Sequence, residues 1–149
     1  MLTAIINARC TSSRLPFKHF KKIENRTVIE IILDELLKNK LIKEIYIATG
    51  PYKKNKRFKH ELEKKYVNLK FFFYNNEDNV TERIFFLSKK IKTDYSLLIS
   101  GDCIMIDNFY IKRLYQSLMK AKNFEFIKST KKLQHEGIKL FKTKAWKKV

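Results

Sequence analysis

The sequence predicts an α/β domain built on a mostly parallel sheet. Three observations carry that expectation. Apolar runs of strand length, at residues 2–6, 45–49, 69–74 and 95–99, alternate with amphipathic stretches of helix length. The helical stretches open on side chains that cap helices. Only three glycines and two prolines punctuate 149 residues, so the connections are short. No repeat, low-complexity tract or Gly/Ser linker divides the chain, and a single domain over residues 1–149 is expected.

The elements follow in order. Residues 2–6 form a buried strand that empties into a loop at residues 7–18. Thr27 and Glu30 make a capping box, since the threonine side chain can take the Glu30 amide while the glutamate reaches back. Val28, Ile31, Ile32, Glu35 and Leu36 then follow helical spacing, their apolar members forming the inward stripe, and the helix ends near residues 38–40. Residues 45–49 are a second buried strand closed by Gly50-Pro51. Residues 54–66 read as one charged helix with Phe58, Leu62 and Tyr66 spaced by four; His60 on it is a surface histidine. Residues 69–74 are a phenylalanine-rich third strand, expected to bury its rings. Asn79 caps a helix over residues 80–90, with Glu82 in the box position. Residues 95–99 are the fourth strand, and Asp107 or Asn108 opens a helix carrying Tyr110, Leu114 and Leu118. Residues 124–128 and 138–141 add later strands, one of them antiparallel, and helical character restarts at Thr143.

Composition narrows the class. Lysine and arginine number 33 against 15 acids, a net charge of +18, which favours anionic partners. The excess is mainly lysine beside abundant Ile, Phe, Tyr and Asn, residues that share A/T-rich codons, and no arginine-rich block stands out. A dedicated nucleic-acid surface would need aromatic rings interleaved with cations on an exposed face. Cys10 and Cys103 stand apart from any CxxC or Cys/His cluster, so no zinc site is indicated, and a reducing compartment is expected. The two cysteines are expected at neighbouring strand ends, without a catalytic role. No secretory pattern and no run of membrane-spanning length is present, so a cytoplasmic protein is expected.

Two stretches carry chemistry. The loop after the first strand reads Asn7-Ala8-Arg9-Cys10-Thr11-Ser12-Ser13-Arg14-Leu15-Pro16-Phe17-Lys18. Its cations, hydroxyls and backbone amides can wrap an oxygen-rich anion, and in open α/β sheets ligands settle beyond the carboxyl ends of strands. The competing reading is a solvated basic loop. Ser100-Gly101-Asp102 follows the fourth strand directly. A carboxylate there is placed to hold Mg²⁺, although an aspartate capping a turn reads the same way.

The order of residues in the loop, Asn-Ala-Arg-x-x-Ser-x-Arg-Leu-Pro-x-Lys, resembles the signature of the cytidylyltransferases that activate acidic sugars. The nearest likeness is to the branch of spore-coat polysaccharide biosynthesis protein F, related to acylneuraminate and 3-deoxy-manno-octulosonate cytidylyltransferases. The segment Ser100-Gly101-Asp102-Cys103-x-x-Ile106-Asp107 is similar to the family's Gly-Asp-Cys-Pro-Leu-Ile-Asp, with Ile104 in place of proline. Asp107 matches the second aspartate, and a helix N-cap explains it equally well. Glu77-Asp78-Asn79-Val80-x-Glu82-Arg83 resembles the acidic segment that lines the nucleotide pocket. His135-Glu136-Gly137 through Phe141 faintly resembles a later segment, with Lys139 where an acid is usual. The family usually has glycine where this chain carries Thr11 and Phe17, positions where glycine allows positive φ.

The resemblance implies a three-layer, Rossmann-like nucleotidyltransferase domain of the GT-A-like kind, CTP and a small acidic sugar as partners, and Mg²⁺ as cofactor. CMP passes from CTP to the sugar in surface polysaccharide biosynthesis. It assigns nucleotide binding to Asn7, Ala8, Arg9, Ser12, Arg14, Lys18, Asp78, Arg83, Ser100 and Gly101. Arg14, Lys18 and Asp102 are the catalytic set, with Asp102 on the metal. A homodimer and no specific nucleic acid are expected. The family's C-terminal portion, with its sugar contacts and further acid, is short or absent, so weak turnover by this chain alone is expected. A nucleotide-binding but inactive relative, or a glycosyltransferase of the same fold, is the alternative; a basic nucleic-acid-binding module is another.

Overall fold

The computed structural model describes residues 1–121, 125–128 and 137–146. Strands β1 (Leu2–Asn7), β4 (Ile42–Thr49), β5 (Leu69–Phe73) and β6 (Tyr95–Ser100) lie parallel, with β1 between β4 and β6. The β8 strand (Ile138–Lys142) runs antiparallel to β6, and β7 (Phe126–Lys128) pairs antiparallel with β8, giving the order β5-β4-β1-β6-β8-β7. The single reversed strand among the pair expected after residue 121 is therefore β8. Phe124, expected to begin the other, lies outside the described residues, as do His135 and Glu136.

Helices cover both faces, which makes three layers. One core cluster joins the sheet to α1 (Val28–Leu37), α3 (Arg57–Leu62) and α5 (Asn108–Lys120). A smaller cluster joins it to α4 (Val80–Ser88) and α6 (Thr143–Trp146). The central strand is mostly apolar, Leu2, Ala4, Ile5 and Ile6 being fully buried along with Thr3, because both its faces are covered.

Several sequence expectations need correction. The inward stripe of α1 is Ile29, Ile32, Leu33 and Leu36, while Val28 and Ile31 are only half-buried. With apolar residues at nearly every position from 28 to 33, spacing alone does not choose the face. The helix expected over residues 54–66 is two short ones, α2 (Tyr52–Asn55) and α3, and Tyr66 lies beyond them in a turn closed onto the Leu62 carbonyl. Asn55 on α2 turns inward and is fully buried. The rings of Phe71, Phe72 and Phe73 are half-exposed, because β5 is an edge strand. A 3₁₀ turn at Lys18–Phe20 and a small hairpin, β2 (Lys22–Ile23) with β3 (Arg26–Thr27), join the loop to α1; the sequence reading had neither. Helix α4 stops at Ser88, two residues short of expectation. Asp107 caps α5, accepting from the amides of Phe109 (2.8 Å) and Tyr110 (3.1 Å). Among the described residues, no helix is long and apolar enough to cross a membrane.

Candidate functional site

The chain leaves β1, passes through α1 to β4 and β5 on one side, then returns to β6 on the other. This reversal of direction across β1 opens a crevice beyond the carboxyl ends of β1 and β6. The register pairs Asn7 with Ser100, so the loop after β1 and the turn after β6 emerge side by side.

A polar network anchored on the buried Asn55 shapes the loop. The Phe17 amide donates to the Cys10 carbonyl (2.9 Å) and closes it. The Cys10 amide donates to Asn55 Oδ1 (2.8 Å), and Asn55 Nδ2 donates to Glu77 Oε2 (3.1 Å). The Thr11 hydroxyl donates to the other Glu77 oxygen. The Glu77 carboxylate lies directly over the end of β4, where a Cβ on Gly50 would sit 2.2 Å from Oε2 and push the carboxylate aside. Thr11, at a position expected to need glycine, is thus used as a hydrogen-bond donor. Phe17 does take positive φ, 55°, as expected there. Its ring lies under the Arg57 guanidinium, 5.3 Å from the ring centre, and Phe20 stacks on the same group at 4.5 Å.

The result is a cleft of about 290 Å³ that gathers Asn7, Ala8, Arg9, Ser12, Arg14, Lys18, Asp78, Arg83 and Ser100, all predicted, with Ser13, His19 and Val80. Gly101 and Asp102, also expected there, are not in the lining: Gly101 is buried behind it on the Asn7 carbonyl, and Asp102 sits beside it, touching Lys18 and Ser100. A second groove, of about 360 Å³, lies between the end of α1 and the starts of β4 and β5; it is lined by Leu33, Leu36, Ile45 and Leu69 and brings no cluster of cations together.

Charge in the cleft is arranged in pairs. Arg9 is bound to Asp78, and the Lys18 ammonium donates to Asp102, which also accepts from the Ser100 hydroxyl. Burial raises the Asp102 carboxyl, but the hydrogen bonds from Lys18 and Ser100 outweigh it and hold the pKa at about 2. Arg14 is exposed and has no ion-pair partner among the described residues, which leaves it open to an incoming anion. Arg83 is 1% exposed; its terminal nitrogen donates to the Glu77 carbonyl (2.9 Å), and its Nε finds no partner among the described residues. Asn7 Oδ1 is likewise buried and unsatisfied. His19 is 2% exposed, and burial lowers its pKa, so the ring is neutral. Cys10 and Cys103 are free thiols raised by burial, Cys10 to about 11, which removes them as thiolate nucleophiles.

No group of three or more His, Cys, Asp or Glu gathers among the described residues. The donor set nevertheless fits Mg²⁺, which ordinarily takes one or two carboxylates plus substrate phosphates and water. Asp102 is ionised and its side chain half-exposed beside the cleft.

Sequence reasoning missed Glu77 and Asn55, which shape the loop, and His19. Glu77 stands out in the sequence only as part of the acidic segment. Nothing in the sequence distinguishes Asn55 on a lysine-rich stretch, or His19 beside Lys18.

A family model described as cytidylyltransferase matches residues 3–149. The chain belongs to the cytidylyltransferase family. An uncharacterized protein of Methanocaldococcus jannaschii is 30% identical over 132 residues, 89% of this chain and 52% of that protein. The chain thus spans about half the length of the curated relative it matches. Among solved structures, a cytidylyltransferase from Leptospira borgpetersenii superposes with a TM-score of 0.81 at 20% identity, covering 99% of this chain and 62% of that one. CMP:2-keto-3-deoxy-manno-octonic acid synthetase complexed with CTP gives 0.79 at 18% identity, over 97% and 75%. A 4-diphosphocytidyl-2C-methyl-D-erythritol synthase from Anaerococcus prevotii gives 0.69 at 17%, over 97% and 70%. These likenesses show the α/β nucleotidyltransferase fold. Within that cytidylyltransferase fold, the cleft lies where the three matched segments meet.

Proposed function

We propose that this chain binds CTP in the cleft and serves in transfer of CMP to an acidic sugar in surface polysaccharide synthesis, in the manner of the spore-coat branch of the family. One observation carries the reading. Three segments far apart in sequence, the loop after β1, the Asp78–Arg83 start of α4, and the end of β6 at Ser100, line one cleft with four cations, Arg9, Arg14, Lys18 and Arg83.

Arg9, Arg14 and Lys18 neutralise the triphosphate, with Ser12 and the loop amides holding its oxygens. As phosphate draws Lys18 away, Asp102 is freed from its ion pair. Asp102, with phosphate oxygens, would hold Mg²⁺, which would supply charge neutralisation for the departing pyrophosphate. A sugar oxygen attacks the α-phosphorus, the bond to the β-phosphate oxygen breaks, and the sugar hydroxyl proton passes to solvent. The transfer needs no covalent nucleophile; positioning and electrostatics account for it.

Thermal unfolding with each of four nucleoside triphosphates, with and without Mg²⁺, tests the reading. CTP with Mg²⁺ is expected to raise the midpoint most, by mass action on the native state. Asp102→Asn is expected to abolish the Mg²⁺-dependent part. Pyrophosphate release from CTP with a nonulosonic acid or 3-deoxy-manno-octulosonate then reads the transfer. Equal shifts for all four nucleotides would refute the CTP assignment.

A further inference from the structure

His19 stands in the cleft without a part in gripping phosphate. The left-handed residue Phe17 turns the chain into the Lys18–Phe20 3₁₀ turn, which sends successive side chains to different places. Lys18 reaches the Asp102 carboxylate. His19 turns inward, its ring 5.7 Å from that of Phe58, and its Nδ1 lies 2.7 Å from the Gly101 carbonyl oxygen. A carbonyl only accepts, so Nδ1 carries the proton and Nε2 is the bare nitrogen.

The Gly101 carbonyl belongs to the planar peptide unit whose other end is the Asp102 nitrogen. Holding that oxygen therefore sets the plane from which Asp102 departs. The Gly101 amide is held too, donating to the Asn7 carbonyl (2.9 Å). Both backbone polar groups of Gly101 are thus tied to the loop after β1. The packing leaves no slack: a Cβ on Gly101 would lie 2.7 Å from Ala8 Cβ and 2.8 Å from His19 Cε1.

We infer that His19 is a positioning residue: by donating from Nδ1 to the Gly101 carbonyl it fixes the Gly101–Asp102 peptide plane and so keeps the Asp102 carboxylate turned to the cleft. The consequence for nucleotide rests on the proposed role of Asp102 in holding the cation of Mg²⁺–CTP. Partners one step removed from a metal typically change its affinity by about 10–100-fold when lost.

Two measurements test it. Nitrogen-15 NMR of the ligand-free protein reads the His19 tautomer directly. Protonation at Nδ1 is expected, and an Nε2–H tautomer would overturn the inference whatever the protein binds. Titration calorimetry with CTP, with and without Mg²⁺, is then run on wild type, His19→Asn and His19→Leu. The asparagine amide can stand where Nδ1 stands, and leucine offers no donor. Affinity for CTP without Mg²⁺ is measured for each protein, so that the ratio of the two affinities isolates the Mg²⁺-dependent part. The Mg²⁺ enhancement is expected to survive in His19→Asn and to fall about 10–100-fold in His19→Leu. Full enhancement in a folded His19→Leu would overturn the inference. Absence of enhancement in the wild type would instead refute the role given to Asp102, and the tautomer would still decide the hold on Gly101.

Discussion

Phe17 and Arg14 show how single residues in one loop divide between shape and chemistry. A left-handed backbone costs a non-glycine residue about 1–2 kcal/mol. At Phe17 that cost is offset by the contact with Arg57, about 0.5–1 kcal/mol at an exposed site. Glycine would remove the strain but lose the contact and gain unfolded-state entropy worth about 0.5–1 kcal/mol. Phe17→Gly is therefore expected to change urea-unfolding stability by less than about 1 kcal/mol, whereas Phe17→Val, β-branched at positive φ, is expected to lose about 1–3 kcal/mol. Arg14 carries chemistry in the proposed reading. Arg14→Ala is expected to weaken CTP binding by about 1.5–3 kcal/mol, the worth of a hydrogen bond to a charged group. Lys53→Ala, on the exposed side of α2, is expected to cost far less. Equal losses in a CTP titration would remove the loop from the binding site.

At the scale of the element, α1 is set by its first turn. Thr27 donates its amide to Glu30 Oε2 (2.8 Å) and accepts from the Glu30 amide (3.4 Å), and Lys65 pairs with the same carboxylate. Burial raises the Glu30 carboxyl, but the bonds from Lys65 and Thr27 outweigh it and bring the pKa from 4.5 to about 2. A carboxyl depressed in the folded state adds stability above its unfolded pKa and loses it as pH falls through the folded one. Wild type is thus expected to be more stable than Glu30→Gln at neutral pH. The gap should close as pH falls from 4.5 towards 2, read by urea unfolding along that range. A gap independent of pH would mean the pair contributes nothing through charge. The same element shows a limit of pattern reading, since its cap was legible while its buried face was not.

For the whole molecule, the net charge of +18 sets up self-repulsion that compaction intensifies. The ion pairs in the cleft and along the helices are largely exposed, and such pairs contribute little each. Salt shortens the reach of repulsion to about 10 Å at 0.1 M. Raising NaCl from about 10 mM to about 200 mM is therefore expected to raise the thermal midpoint, while a fall would show that attractive pairs dominate. Any polynucleotide binding through this charge is expected to vanish over the same range, whereas selectivity for CTP over other triphosphates is expected to persist.

What the sequence determined by itself was local and periodic. The alternation of strand and helix, the Thr27, Asn79 and Asp107 caps, and the three segments of the cleft were all legible, because each depends on residues close together in the chain. Tertiary structure decided whatever depends on which surfaces meet. It made β5 an edge strand and left its phenylalanines half-exposed, and it chose Ile29 and Leu33 over Val28 and Ile31 for the core. It also drew Asn55 and Glu77 under a loop more than forty residues away. His19 and Gly101 are separated by 82 residues, and only the parallel pairing of β1 with β6 brings that imidazole to that carbonyl.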